Sequence, residues 1–302
     1  MSGSLHPRLL PASIANLHQL SELSNRCRPK NGEDRVANPE TLALRLRREG
    51  IDLTASRVLS WRGRWEGMAL IGRRGYSARI ADFILTPQLR RQGLGSWLLR
   101  EILREARLRA DRTLEMEVRE DDDVASALAV ANGFQAEGRL VGYRRPGEES
   151  YQRAREDLAA GDLVEMDVYH LARALVRRGD PAWPWLLTGE STAFLGSPHR
   201  AFHRGEAMVL ISSPYRSPVW ILSLLPGRLE KPEDSLPQLI NGLLLAFPGR
   251  TWCTPRLFPE AFAAAAFEPA GFRREPTARQ HWRLDLRHHL VPEPEPEPEP
   301  DS

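Results

Sequence analysis

Two hydrophobic periods alternate along the chain. Residues 13–27 place Ile14, Leu17 and Leu20 on one face and predict a helix. Asn38 followed by Pro39 starts a second helix, which continues through Leu42, Leu44 and Leu46 toward Gly50. Residues 57–62, 64–72 and 78–86 read as strands, with Gly63 and Gly75 at the turns between them. The strongest amphipathic stretch is 96–110. Leu98, Leu99, Ile102, Leu103 and Ala106 form its apolar stripe, and Arg100, Glu101, Arg104 and Glu105 face outward. Thr113–Arg119 alternates Leu114, Met116 and Val118 with Glu115 and Glu117, a strand pattern. Residues 123–132 predict a short helix capped by Gly133, and Gln135–Arg145 holds the final strands of this half.

The second half repeats the order. Residues 151–178 read as helical, and a Pro-rich loop with Trp183 and Trp185 follows, the tryptophans assigned to core or inter-domain packing. Strands are expected at 207–212, Val219–Leu225, 250–254 and 273–286, with helices at 235–247 and 259–266. The last strand is expected to close the second half. Gly133-Phe134 and Gly271-Phe272 lie 138 residues apart, each after a helix and before a strand. That rhyme reads as an internal duplication, with two unrelated α/β domains as the alternative. The boundaries it suggests are 1–148, 149–290 and a Pro-Glu tail at 291–302, expected to be extended and solvated.

A length of 302 residues suits about two domains, and 41% hydrophobic with 27% charged residues is ordinary for a globular chain. No apolar run reaches the roughly 18 residues of a membrane span, and no signal-peptide pattern is visible, so a cytoplasmic protein without a membrane partner is expected. Two distant cysteines, Cys27 and Cys253, make neither a disulfide framework nor a metal site. The net charge of +2 becomes +7 once the five acids of the tail are set aside. That body suits an anionic small ligand better than a nucleic acid.

The chemistry concentrates after the third strand, in Leu85-Thr86-Pro87-Gln88-Leu89-Arg90-Arg91-Gln92-Gly93-Leu94-Gly95-Ser96. A helix beginning at about Gly95 offers unpaired N–H groups and the positive end of its dipole. Gly93 and Gly95 leave room for a phosphate, and Arg90 and Arg91 add charge. The loop is neither a Walker A motif nor a dinucleotide fingerprint.

Arg90-x-x-Gly93-x-Gly95 after a strand resembles motif A of the GNAT family of acyl-CoA N-acyltransferases, and Leu114 through Phe134 keeps that family's spacing. The resemblance runs over residues 11–145. It implies an α/β (α+β) architecture of two tandem GNAT-like domains, each a mixed, mostly antiparallel twisted sheet flanked by helices. The second copy lacks the motif at Pro226-Gly227-Arg228 and reads as degenerate. The resemblance implies acetyl-CoA as co-substrate, no metal, and a primary amine of a small molecule as acceptor, attacked directly in a ternary complex; a homodimer stays open. Coenzyme A would lie on Leu85, Thr86, Arg90, Arg91, Gln92, Gly93, Leu94, Gly95 and Ser96, with the Leu85 N–H on the acetyl oxygen.

The chain departs from the family in two places. Ala129 replaces the Tyr that commonly protonates the departing thiolate, and Arg79 and Ala81 stand where a strand Glu is often found. Asp82 and Glu117 are the candidate bases and Tyr143 the candidate acid. Cys27, among Arg26, Arg28 and Lys30, is expected to have a lowered thiol pKa in a surface loop. His199, Arg200, His203 and Arg204 read as solvated loop residues. The rival function is an acyl-CoA-binding or interaction module without turnover.

Overall fold

The computed structural model describes residues 6–28, 38–147, 163–179, 183–228 and 231–287. The first half runs β1 (Arg8–Pro11), α1 (Leu17–Cys27), α2 (Pro39–Glu49), β2 (Arg57–Trp61), β3 (Arg64–Arg74), β4 (Ser77–Leu85), α3 (Leu94–Leu108), β5 (Thr113–Arg119), α4 (Asp123–Ala131) and β6 (Gln135–Arg145). The second runs β7 (Val164–Met166), α5 (Val168–Arg178), α6 (Gly189–Thr192), β8 (Arg200–Arg204), β9 (Ala207–Ile211), β10 (Val219–Leu225), α7 (Pro232–Ala246), β11 (Trp252–Cys253), β12 (Phe258–Pro259), α8 (Glu260–Phe267) and β13 (Arg273–Asp285). Among the described residues no helix is long and apolar enough to cross a membrane.

Local chemistry sets the helix ends. Asn16 and Gln19 form a reciprocal capping box on α1. Asn38 Oδ1 accepts the Thr41 N–H at 2.8 Å, with Pro39 in the first turn, and α2 ends on left-handed Gly50. Alternation along the strands separates two layers. Leu59, Ala69 and Ile71 pack under α3 with Leu98, Leu99 and Ile102. Val58, Met68 and Leu70 pack under α1 and α2 with Leu20, Leu23 and Leu42.

The strands join in the order β1-β2-β3-β4-β5-β13-β6-β11-β10-β9-β8-β7, with β12 also pairing β6. The β4–β5 and β10–β11 pairs are parallel and the others antiparallel. The mixed, mostly antiparallel architecture is as expected. The position of the last strand is not. β13 does not close its own half; it lies between β5 and β6, pairing Trp282 with Met116 and Arg279 with Leu140. In return β6 reaches across to β11, Arg145 opposite Trp252. The reason is long-range pairing, which local periodicity does not encode.

The duplication is visible in geometry. Gly133 and Gly271 have φ of 81° and 79°. Phe134 and Phe272 each donate their N–H back to residue i−5 at 3.1 Å, to the Ala129 and Phe267 carbonyls, and both rings are buried.

Other local readings are corrected. Val164–Met166 is a strand rather than part of a helix. Residues 200–204 form β8, where Arg200 pairs with Glu165, rather than a solvated loop. The helix expected over 151–162, the tail and His288-His289 lie outside the described residues. Trp185 packs between the halves: its Nε1 donates to the Glu49 carbonyl at 2.8 Å, and Arg74 stacks 4.1 Å from its ring.

Candidate active site

The site begins where β4 leaves β5. The two strands pair from Ser77–Thr113 to Ile80–Met116 and no further, although β4 continues to Leu85 and β5 to Arg119. A β-bulge coincides with that departure. Leu70 faces Asp82 and Ile71 faces Ile80, which leaves Ala81 as the extra residue. Bulges sharpen the local twist and re-aim the strand. The Thr86 N–H donates to the Glu66 carbonyl at 2.8 Å, so Thr86 turns toward β3. By alternation the N–H of Leu85 turns the other way, into the opening.

The loop after β4 leads straight to a helix start. Arg91 at φ 60° and Gly93 at φ 76° are both left-handed, and a Cβ on Gly93 would meet nothing within 4 Å. Trp97 makes the first helical bond, to the Gly93 carbonyl at 3.0 Å. The N–H groups of Leu94, Gly95 and Ser96 precede it, and no side chain caps them. A Cβ on Gly95 would stand 3.8 Å from Phe83 Cε1 and 3.9 Å from Leu85 Cδ1, on the side of the opening. These residues fit a pyrophosphate on the loop and a carbonyl at Leu85.

Arg90 does something else. Its Nη2 donates to the Cys27 carbonyl at 2.7 Å and its Nε to the Leu85 carbonyl at 3.1 Å. It ties the end of α1 to the end of β4. Arg91, exposed, is the loop arginine turned toward solvent.

The expected bases are both engaged. Asp82 accepts from Arg28 Nη2 and from Arg45 Nη1, the latter at 2.7 Å. Glu117 accepts from Arg79 Nε at 2.9 Å and Nη2 at 2.6 Å. Between them Glu49 accepts from Arg45 Nε and Arg79 Nη1, each at 2.8 Å. The result is an alternating buried row, Arg28–Asp82–Arg45–Glu49–Arg79–Glu117. Burial alone would raise the Glu49 pKa, but the charges and hydrogen bonds of Arg45 and Arg79 bring it down to about 2. Asp82 and Glu117 are thus tied into the row by guanidinium groups.

Tyr143 has a different setting. It lies on β6, three strands from β4 in the sheet, in the core of the second half. Its hydroxyl donates to Glu268 Oε1 at 2.8 Å, and burial with that bond pushes its pKa up. Cys27 is 1% exposed, and burial outweighs Arg26 and Arg90 to raise its pKa to about 11, opposite to the expectation from its basic neighbours.

The structure adds Glu66. This buried carboxylate on β3 accepts from Thr86 Oγ1 at 2.8 Å and Gln88 Nε2 at 3.3 Å, beside Leu85. The strand reading passed over it because it lies on a neighbouring strand; only the β3–β4 register, with Gly67 opposite Leu85, brings it to the opening.

The second half opens at the same place with different chemistry. The β10–β11 pairs end at Trp220, as the β4–β5 pairs end at Ile80. Two residues beyond stand Leu222 and Asp82 respectively. The helix that follows β10 begins Pro232-Glu233-Asp234, so its first turn carries its own acids. Among the described residues no group of three His, Cys, Asp or Glu side chains could hold a metal ion.

Comparison with known proteins agrees with this geometry. Residues 18–134 match the Acetyltransferase (GNAT) family. No curated protein matches the chain. A tandem GNAT protein from the clavulanic acid biosynthesis pathway superposes with a TM-score of 0.59 at 18% identity, covering 93% of this chain and 99% of that one. A GCN5-related N-acetyltransferase from Anabaena variabilis gives 0.62 at 13% identity, over 93% and 73% of the two chains. A putative acetyltransferase from Pyrococcus horikoshii gives 0.56 at 14%, over 93% and 89%. The fold is therefore that of tandem GNAT proteins. Residues 18–134 of the first half carry the match to the GNAT acetyltransferases, which are acyl-CoA N-acyltransferases by class.

Proposed function

We propose that the first half transfers an acetyl group from acetyl-CoA to a primary amine of a small molecule, by direct attack in a ternary complex. The observation that carries this reading is the opening beyond Ile80, with the Leu85 N–H turned into it and α3 starting at its mouth. Acetyl-CoA supplies a thioester whose carbonyl carbon the amine nitrogen attacks; the C–N bond forms as the C–S bond breaks. The N–H groups of Gln92, Gly93, Leu94, Gly95 and Ser96 hold the pyrophosphate, with charge from Arg91. Arg90 fixes the loop. Leu85 N–H holds the carbonyl oxygen and stabilises the negative charge it gains. Thr86 holds Glu66 beside that point. Glu66, or a water it binds, takes the proton the amine must lose. Ala129 has no group to protonate the departing thiolate and Tyr143 is bonded to Glu268, so coenzyme A leaves as the thiolate and takes its proton from solvent water.

We read residues 1–148 and 149–290 as two GNAT-like copies that exchange their final strands, the second copy having lost the cofactor loop. The reducing cytoplasm suits Cys27 and Cys253, both free and buried.

Calorimetric titration of acetyl-CoA into the intact protein and into a Gly93→Glu, Gly95→Glu variant tests the reading. Micromolar binding lost in the variant, with thiol release on an amine panel, is expected. Binding without turnover on any amine would favour an acyl-CoA-binding module. No binding to the intact protein would overturn both.

A further inference from the structure

Two cavities of the second half lie away from the loop at residues 90–96. Between α5, the end of β10 and the start of α7 is a cavity of about 410 Å³, walled by Leu175, Trp183, Leu224 and Phe262. Trp183 and Phe262 meet edge to face with centroids 4.9 Å apart, which gives it a rigid apolar wall. Arg178 and Glu190 also line it.

A second cleft of about 830 Å³ adjoins it, and Arg178, Leu225 and Pro226 line both. Arg178 Nη1 donates to the Pro226 carbonyl at 2.9 Å, which fixes the ridge between them. Arg173, Arg177 and Arg228 also line this cleft. Among its described residues the one carboxylate is Glu206, whose Oε2 accepts the Arg228 backbone N–H at 2.9 Å. Arg173 and Arg177 are four apart on α5 and repel each other. Arg45, Arg73, Arg79 and Arg139, elsewhere in the chain, meet carboxylates. A cleft with an excess of arginines beside a mainly apolar cavity favours one kind of guest: an apolar body with an anionic end.

We propose that the second half binds a small amphipathic anion, its chain in the cavity walled by Trp183 and Phe262 and its phosphate or carboxylate head on Arg173, Arg177 and Arg228. This site does not use a Gly-rich loop or a helix start. The first turn of α7 already carries Glu233 and Asp234, which repel an anion placed there. The proposal stands apart from the acetyl-transfer reading, because its cations and its apolar walls come from other elements.

Calorimetry on the full chain with octyl phosphate, octanoate, octanol and inorganic phosphate tests it. Octyl phosphate or octanoate is expected to bind at micromolar concentration, and the better of the two names the head group. Octanol and inorganic phosphate, each with half of the required chemistry, are expected to bind at least tenfold more weakly. Arg177→Gln with Arg228→Gln should weaken the amphiphile at least tenfold. Val176→Trp, at an exposed position on the cavity wall, should block the chain and leave the thermal transition in place. Saturating acetyl-CoA should not displace the amphiphile. Absence of binding, binding that neither variant weakens, or one-for-one displacement by acetyl-CoA would each overturn the proposal.

Discussion

Arg45 Nη2 donates to the carbonyl of Ala81 at 2.9 Å, and Ala81 is the residue that shifts the β3–β4 register. The bulge falls one residue beyond the last β4–β5 pair. A cation on α2 therefore anchors the backbone at the point where the sheet opens. Arg45→Met removes the anchor and leaves Asp82 and Glu49 each short of a buried partner. Loss of one member of such a pair costs about 3 kcal/mol. Urea denaturation should show that loss, and acetyl-CoA should bind more weakly because β4 is no longer held in its bent course. An unchanged acetyl-CoA affinity would show that the bulge stands without Arg45.

The carboxylates separate by their partners. Glu66 is met by a hydroxyl and an amide, whereas Asp82 is met by two guanidinium groups. Glu66→Gln should lower kcat by about 10²-fold, the ordinary scale for a general base, with acetyl-CoA affinity unchanged. Asp82→Asn should lower stability and leave the rate per folded molecule within a few fold. The reverse outcome, measured by thiol release alongside urea denaturation, would return the base role to Asp82.

Much of this architecture was legible in the sequence wherever the determinant is local. Asn38, Pro39 and Gly50 bracket α2, and the alternation at Thr113–Arg119 gives β5 to the residue. Leu98, Leu99, Ile102 and Leu103 are buried under α3 as their spacing requires. What was not legible depends on partners distant in the chain. Strand β8, Arg-Ala-Phe-His-Arg, reads as loop because its ends are charged and its adjacent Ala201 and Phe202 are both buried, in different core clusters, so no in-and-out alternation marks it. Asp82 read as a candidate base because its partners Arg28 and Arg45 are 54 and 37 residues away. Glu66 reaches the site only through strand register.

Acid should act on the buried row. Glu49 has a pKa of about 2 in the folded protein against an ordinary 4.5. A carboxyl group whose folded pKa is depressed contributes stability above its unfolded value, and that contribution is lost as pH falls through the folded one. Stability should therefore drop between about pH 5 and pH 2. Glu49→Gln should be less stable at neutral pH and show a shallower fall across that window. Parallel curves for the two proteins in urea titrations at stepped pH would show that Glu49 is not among the groups responsible.

The thiols should be silent. Cys27 is 1% exposed with its pKa raised to about 11, and burial also raises Cys253. The thiolate is the reactive form, so neither should react with a disulfide reagent at neutral pH over minutes. Both should react once denaturant is added. Rapid labelling of Cys27 in the native protein would mean that the end of α1, held by Arg90 at the Cys27 carbonyl, opens on that timescale.

The exchanged strands make the halves interdependent. β13 pairs seven residues of β5, from Thr113 to Arg119, and contributes Leu284 to the first-half core. Its His281, buried, meets Glu115 at 3.3 Å; burial lowers the imidazole pKa, but Glu115 and Glu117 outweigh it and raise it. β6 in turn places Val141 and Tyr143 in the second-half core. A chain ending at residue 147 would keep the whole loop at residues 90–96 yet expose the edge of β5 and leave Tyr143 without its partners Glu268 and Phe267. Such an edge is a template for aggregation. That shortened chain should be insoluble or unfolded by circular dichroism, and adding residues 163–287 as a separate chain should rescue it. A soluble chain of residues 1–147 that binds acetyl-CoA unaided would show that the shared strands are dispensable and that the first half is a domain in its own right.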